Sequence, residues 1–284
     1  MICGNICSIF LALGREGTGM GTARYAEIDE IITYIGKHLD EPLPLNRLAA
    51  HVAYSPYHFA RIFKERMGLP PLYYVSSLRL QRAKELLLNT NYSIRDIGLE
   101  IGQQSLGTFT TRFTERVGVT PAEFRTQPLH ADHHLQALKR LADWRTVSTA
   151  VPQYATVRGT IQAEVPFEGV ILIGLFARPI PEGMPLYGTL ISSLGDFSIT
   201  GVKPGTYYLM ATSIAWEMQA KDVLLPQATL RTRSKKPIVI GSQPYPPHLE
   251  AMLHPPHPED PPILISLPLL MNSFLQRTVQ HSHR

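Results

Sequence analysis

Cysteine is almost missing from this sequence: two in 284 residues, Cys3 and Cys7, both within the first seven positions. No disulfide framework can staple the body of such a chain, and a reducing cytoplasm is the expected setting. Charged residues make up only 18% and tryptophan occurs twice. No apolar run reaches the roughly 20 residues that a membrane-spanning helix needs, so no membrane partner is expected. In the C-terminal part, from about Val151, a Gly-rich phosphate loop, a nucleophile elbow and a paired-ligand metal motif are missing too, and no catalytic set, cofactor or metal is expected. What is present is 44% hydrophobic content, enough over this length for two domains with a core each.

The first residues carry little. Residues 1–19, MICGNICSIFLALGREGTG, have a short apolar run with no basic residue before it and a poor cleavage signal, unlike a secretory leader. Arg15-Glu16-Gly17 is what a purine-rich ribosome-binding site looks like when translated. The expectation is an over-extended start, with Met20 the initiator and 1–19 without structural role.

The stretch from Leu45 to Arg125 says the same thing twice. LNRLAAHVAYSPYHFARIFKERMGLPPLYY (45–74) aligns with IRDIGLEIGQQSLGTFTTRFTERVGVTPAEF (94–124). Leu48, Ala49, Val52 and Ala53 match Ile97, Gly98, Ile101 and Gly102. One residue slips in the turn, after which Phe59, Phe63, Met67, Gly68, Pro71 and Tyr74 match Phe109, Phe113, Val117, Gly118, Pro121 and Phe124. Each copy reads as a short helix, a tight turn and a longer amphipathic helix. Ser55-Pro56 is a cap followed by proline at the first helical position. Gly102 suits a turn with positive φ, and Ala53 at the same place should carry some strain. This is the helix-turn-helix pattern, whose second helix enters the major groove.

Two such units, closed by the G-V-T-P-A-E-F-R run from Gly118 to Arg125, resemble the DNA-binding domain of the AraC/XylS family of transcription regulators, over about a hundred residues from Tyr25. The resemblance implies double-stranded promoter DNA as partner and leaves room for RNA polymerase and a small-molecule effector. In the first unit it turns Tyr57, Ala60 and Arg61 to the groove, Arg61 able to grip guanine through both its N–H edges. Ser55, His58 and Lys64 are better placed for phosphate. A packing role for Tyr57 is the alternative. In the second unit Leu106, Gly107, Thr110 and Thr111 would face the groove, with Ser105, Thr108, Arg112 and Arg116 nearby. Threonines and a leucine read thymine methyls and shape more than they grip guanine, so the second half-site should be less strictly specified. The DNA-repair methyltransferase sometimes fused to this domain is argued against, because no cysteine follows Cys7 to act as nucleophile.

Charge sits with the repeat. Residues 42–125 hold 11 Lys and Arg against 6 Asp and Glu, a net of +5 against +4 for the whole chain. Before it, Tyr25–Leu39 should be an amphipathic core helix carrying Ile28, Ile31, Ile32 and Ile35. Between the copies, Pro71 to Asn89 should be a connecting helix with Arg79, Arg82 and Lys84 as a basic flank, long enough to hold two reading helices near the spacing of successive grooves. Leu129–Thr149 reads as a linker helix with Leu135, Leu138, Leu141 and Trp144 on one face. His130, His133 and His134 on it have metal-ligand spacing, yet solvated histidines are the better reading.

From about Val151 the composition changes. Seventeen of the 24 prolines fall here, and short β-type runs replace helical periodicity: Ala155–Ala163, Val170–Ala177, Asp196–Thr200 and Thr206–Ile214. Val170–Phe176 is apolar throughout, as for a strand buried on both sides. Gly195–Ala211 alternates and turns at Lys203-Pro204-Gly205, with glycine expected at positive φ. Its G-x-F-x-I-x-x-V-x-P-G-x-Y-x-L pattern looks like the carboxypeptidase-regulatory or transthyretin-like β-sandwich. Residues 243–262 are rich in Pro and His, and 262–275 offers one apolar strand and a last short helix. Phe176, Tyr207, Tyr208 and Trp216 could line a ligand pocket, with core or surface packing the better reading.

The expected architecture is thus multi-domain: an all-α tandem helix-turn-helix reader at 20–126 (units 45–74 and 94–124), a linker helix at 127–150, and a mostly-β sandwich at 151–284. The expected function is a sequence-specific transcriptional regulator, not an enzyme, whose reader binds DNA and whose β-domain senses a ligand or mediates assembly. The alternative is an enzyme or carbohydrate-binding protein with a DNA-binding appendage, which would need a constellation of acids or metal ligands in 151–284.

Overall fold

The computed structural model describes residues 25–141, 144, 154–241, 246 and 248–282. The leader, Met20 and most of 142–153 lie outside them. Contacts divide the chain into two compact units. One ends at Phe109 and takes in His257–Pro261; the other comprises Thr110–Pro256 and the chain from Pro262 onward.

The first unit is helical: α1 (Ala26–Lys37), α2 (Leu45–His51), α3 (Pro56–Met67), α4 (Pro71–Asn89), α5 (Ile94–Glu100) and the start of α6 (Leu106–Val117). The isoleucines of α1 are all buried, with Leu48, Phe59, Phe63, Met67 and Tyr74. The repeat survives in detail. The turn after α2 closes with Tyr54 N–H on Ala49 O at 2.9 Å and Ala53 N–H on Ala50 O at 3.1 Å. The turn after α5 repeats this, with Gln103 on Gly98 O at 2.8 Å and Gly102 on Leu99 O at 2.9 Å. Both are the six-to-one and five-to-two bond pairs that require a left-handed residue just past the helix. Gly102 supplies it with φ 72°, and Ala53 is forced there with φ 55°, the one non-glycine at positive φ among the described residues.

The connector α4 departs from the expected basic flank. Ala83 through Leu87 are buried in succession, Lys84 completely. The Arg79 guanidinium donates to Leu39 O at 2.9 Å and Glu41 O at 2.6 Å, and Arg82 donates to Glu85 at 3.1 Å. The helix is an axis that its neighbours pack around, which is why its charges are spent inside the fold. Burial pushes the Lys84 ammonium down to about 7, against the opposing pull of Glu85.

Among the described residues, the second unit holds the rest of α6, α7 (Pro121–Thr126), α8 (Pro128–Lys139), eight strands, α9 (Ala220–Leu224) and α10 (Leu267–Ser282). The strands are β1 (Ala155–Ala163), β2 (Gly169–Phe176), β3 (Tyr187–Ile191), β4 (Gly195–Val202), β5 (Gly205–Ala215), β6 (Arg231–Arg233), β7 (Ile238–Ile240) and β8 (Leu249–Leu253). One sheet has the order β4-β1-β8, with β8 parallel to β1; the other runs β3-β2-β5-β6, with β7 also on β5. One core lies between the sheets: Val157, Ile161, Ile171, Ile173, Leu175, Phe197, Ile199, Tyr207 and Leu209. The alternate residues of the second sheet, Val170, Leu172, Leu190 and Ile214, face a helical layer carrying Leu135, Leu138, Val223, Met271 and Phe274. That is why β2 is buried along its whole length.

Several expectations change here. The alternating Gly195–Ala211 segment is two strands in opposite sheets, β4 on β1 and β5 on β2. Positive φ falls at Gly201, 73°, while Gly205 is not among the positive-φ glycines. Gly205 instead leaves room for the Tyr207 ring, whose hydroxyl would sit 2.8 Å from an added Cβ. The helix expected over Leu129–Thr149 is described only to Lys139, and its Leu135 and Leu138 belong to the core beside the sheet. The expected apolar strand in 262–275 does not form. Leu264 and Ile265 N–H both donate to Pro181 O, at 2.9 and 3.1 Å, and α10 begins at Leu267.

Candidate nucleic-acid interface

In the first helix-turn-helix unit, the inner face of α3 is fixed by Phe59, Phe63 and Met67, all fully buried. A helix so anchored turns positions 57, 60, 61 and 64 outward together, one row at helical spacing. Tyr57 is 82% exposed, which removes the packing reading of that residue. Lys64 is exposed and Ala60 half-buried between them. The Arg61 side chain is 54% exposed, with Glu65 at 3.7 Å. A pair at that distance in water is held weakly, by a few tenths of a kcal/mol, and gives way to a better acceptor. Ser55 caps the helix, its Oγ accepting from His58 N–H at 3.3 Å. The His58 ring is half-buried, edge-on to Tyr54 at 4.8 Å.

In the second unit, Phe109, Phe113 and Val117 of α6 repeat the anchors, again fully buried. Leu106 is 47% exposed, and Ser105, Gly107, Thr108, Thr111 and Arg112 are exposed with Thr110 half-buried. Ser105 Oγ accepts from Thr108 N–H at 3.3 Å, the counterpart of the Ser55 cap. Arg116 does not join the row. It is buried and donates to Glu182 at 2.5 Å. The outward face of α6 therefore offers methyls, hydroxyls and a single guanidinium.

The four aromatic candidates of the β region do not converge. Tyr207 points into the core between the sheets, its hydroxyl donating to Lys203 O at 2.8 Å. Phe176 and Tyr208 are cross-strand partners, while Trp216 lies eight residues further along, roughly 27 Å in an extended strand. Trp216 meets the Trp144 ring at 6.2 Å. Packing accounts for them better than a shared pocket.

Two serine-capped helices, each following a short helix through a matching turn and each with one outward row, define a tandem helix-turn-helix domain. Residues 48–127 match the family model described as a helix-turn-helix domain. The chain is similar to the bifunctional transcriptional activator/DNA repair enzyme AdaA of Bacillus subtilis, 39% identical over 98 residues, 34% of this chain and 46% of that protein. It is similar also to the HTH-type transcriptional regulator ArgR of Pseudomonas aeruginosa, 34% identical over 103 residues, 36% of this chain and 31% of that one. Among solved structures, a transcriptional regulator with an AraC-type DNA-binding domain from Chromobacterium violaceum is 32% identical. That likeness covers 38% of this chain and 96% of the other, with a TM-score of 0.36. The chain spans less than half the length of these two curated relatives. Among the described residues no helix is long and apolar enough to cross a membrane.

Proposed function

We propose that this protein is a sequence-specific transcriptional regulator of the AraC type that reads two successive major grooves with α3 and α6. The observation that carries the reading is the repeated outward row: Tyr57, Ala60, Arg61 and Lys64 on α3, then Gly107, Thr110 and Thr111 at the matching places on α6. Connector α4, at 19 residues, is about 28 Å long, suited to reading heads one turn of DNA apart. Double-stranded promoter DNA is the partner, the cytoplasm the setting, and RNA polymerase a further partner at the promoter. The C-terminal domain, whose two sheets share one core, is read as a carboxypeptidase-regulatory-like sandwich that senses a ligand or mediates assembly. We read the chain as no enzyme, since the repair chemistry in the AdaA name would need a cysteine and none follows Cys7.

Selecting duplexes from a random-sequence pool with the full chain tests this. The expected product is a bipartite site with half-sites about 10 base pairs apart, the half under α3 holding a required guanine and the half under α6 tolerating more exchanges. Recovery of no sequence above background at low salt would overturn it.

A further inference from the structure

The repeat places Arg66 of α3 and Arg116 of α6 at the same position, one residue before the last anchor of each reading helix. Neither points to the exposed row. Arg66 is paired with Glu259 at 3.0 Å and with Asp29 at 3.8 Å, and its guanidinium lies 5.0 Å from the centre of the Tyr25 ring. Arg116 is 8% exposed and paired with Glu182 at 2.5 Å. Both glutamates come from the C-terminal half of the sequence: Glu259 from the His257–Pro261 segment that folds with the first unit, Glu182 from the β2–β3 loop of the second.

Around Arg116 the grip extends to the backbone. The last carbonyls of a helix have no partner within it. Here Gly183 N–H donates to Arg116 O at 2.7 Å and Ser266 N–H to Val117 O at 2.9 Å. Ser266 Oγ donates to Gln127 at 2.6 Å. Gly118, at φ 91°, lies so close beneath Leu269 that an added Cβ would meet it at 2.7 Å. Gly183 itself has φ 59°, and a Cβ there would come within 3.1 Å of Glu115 O. The loop therefore fits against the end of α6 only with glycine at that place. Around Arg66 the N-terminal helix contributes as well, through Asp29 and Tyr25.

We infer that the C-terminal half holds both reading helices by their equivalent arginines, Glu259 on Arg66 and Glu182 on Arg116, and so sets how firmly each is presented to DNA. This rests on the DNA-reading proposal. The grip is at the C-terminal ends, while Tyr57 and Arg61 on α3, and Leu106 and Thr111 on α6, remain exposed. It is a brace rather than a cover, and it favours reading. It weighs more on α6, where amides from two segments of the C-terminal half also cap the helix.

The test uses the full chain with Glu182→Ala, Glu259→Ala and the reversed pair Arg116→Glu/Glu182→Arg. Amide hydrogen exchange is read first, because it needs no DNA. Glu182→Ala should speed exchange at 112–118 by tenfold or more and leave 57–67 unchanged. Glu259→Ala should act at 62–68, and less strongly. On a duplex selected by the parent protein, Glu182→Ala should lose affinity threefold to tenfold, Glu259→Ala less, and the reversed pair should recover part of the loss. Exchange at 112–118 unaltered by Glu182→Ala, or loosened exchange with affinity intact, overturns the inference. Should Glu182→Ala fail to fold, Glu182→Gln gives the same readings. If no duplex is ever selected, the DNA-reading proposal fails while the exchange data still decide the brace.

Discussion

Arg61 is the side chain on which specificity should turn. Its neighbour Glu65 holds it only across 3.7 Å in solvent, so little is lost when the guanidinium moves to a base. Arg61→Ala should cost about 1–3 kcal/mol on the preferred duplex and relax selection at one base pair. Equal losses on preferred and random duplexes would mean that Arg61 touches phosphate only. Two further residues have natural controls in the repeat. Ala53 sits at φ 55° where the second copy has Gly102. Ala53→Gly should stabilise the first unit by about 0.5–1 kcal/mol, the relief of a left-handed alanine partly offset by the added freedom of the unfolded chain. The reverse change is worse than its mirror, since a Cβ at 102 would stand 3.0 Å from Asp40 O and 3.0 Å from an Arg79 guanidinium nitrogen. Gly102→Ala should cost at least 1–2 kcal/mol. Thermal unfolding of both variants checks the pair, and equal effects at the two sites would contradict the turn geometry.

Among the elements, the connector carries the clearest pH dependence. An ammonium that folding pushes from 10.5 to about 7 binds its proton more weakly in the folded than in the unfolded state. Its contribution is least unfavourable above the unfolded value and grows more unfavourable as pH falls from about 10 to about 7. Lys84→Met removes this term. The stability of the variant relative to the parent should rise as pH falls from about 10 to about 7. Denaturant unfolding across that range measures it, and a gap independent of pH would show that the lysine is solvated.

The elements also differ in how far they could be read in advance. Helix-turn-helix units announce themselves because their signals are local: an apolar row, a cap, a left-handed turn and a proline restart lie within about thirty residues. Even the slip between copies is visible, as one extra residue before Ser105. β2 was legible for a related reason, its continuous apolar run matching burial on both faces. The charges of α4 were not, because nothing local distinguishes an arginine facing solvent from one reaching Leu39 O. The parallel pairing of β8 with β1 and the partners of Arg66 and Arg116 depend on residues far along the chain. The repeat aligns the two arginines but cannot name Glu259 or Glu182.

For the whole molecule, the consequence lies in where the chain divides. The compact units part between Phe109 and Thr110, inside α6. A fragment of residues 20–126 would keep α3 and its buried anchors, though without Glu259 on Arg66. It would lose the Gly183 and Ser266 amides that close α6 and the Leu269 side chain that covers Gly118. Such a fragment should still bind DNA as a monomer, because the helices α1 to α4 keep their buried residues and α3 its outward row. It should do so with α3 the firmer of its two reading helices. Since log K falls with log salt in proportion to the phosphates neutralised, at about 0.9 per phosphate, its slope should be shallower than that of the full chain. Titrating both proteins against the selected bipartite duplex over a range of salt makes the comparison. A fragment that equals the full chain in affinity and in slope would show that the reader stands alone and that the C-terminal half adds nothing to it.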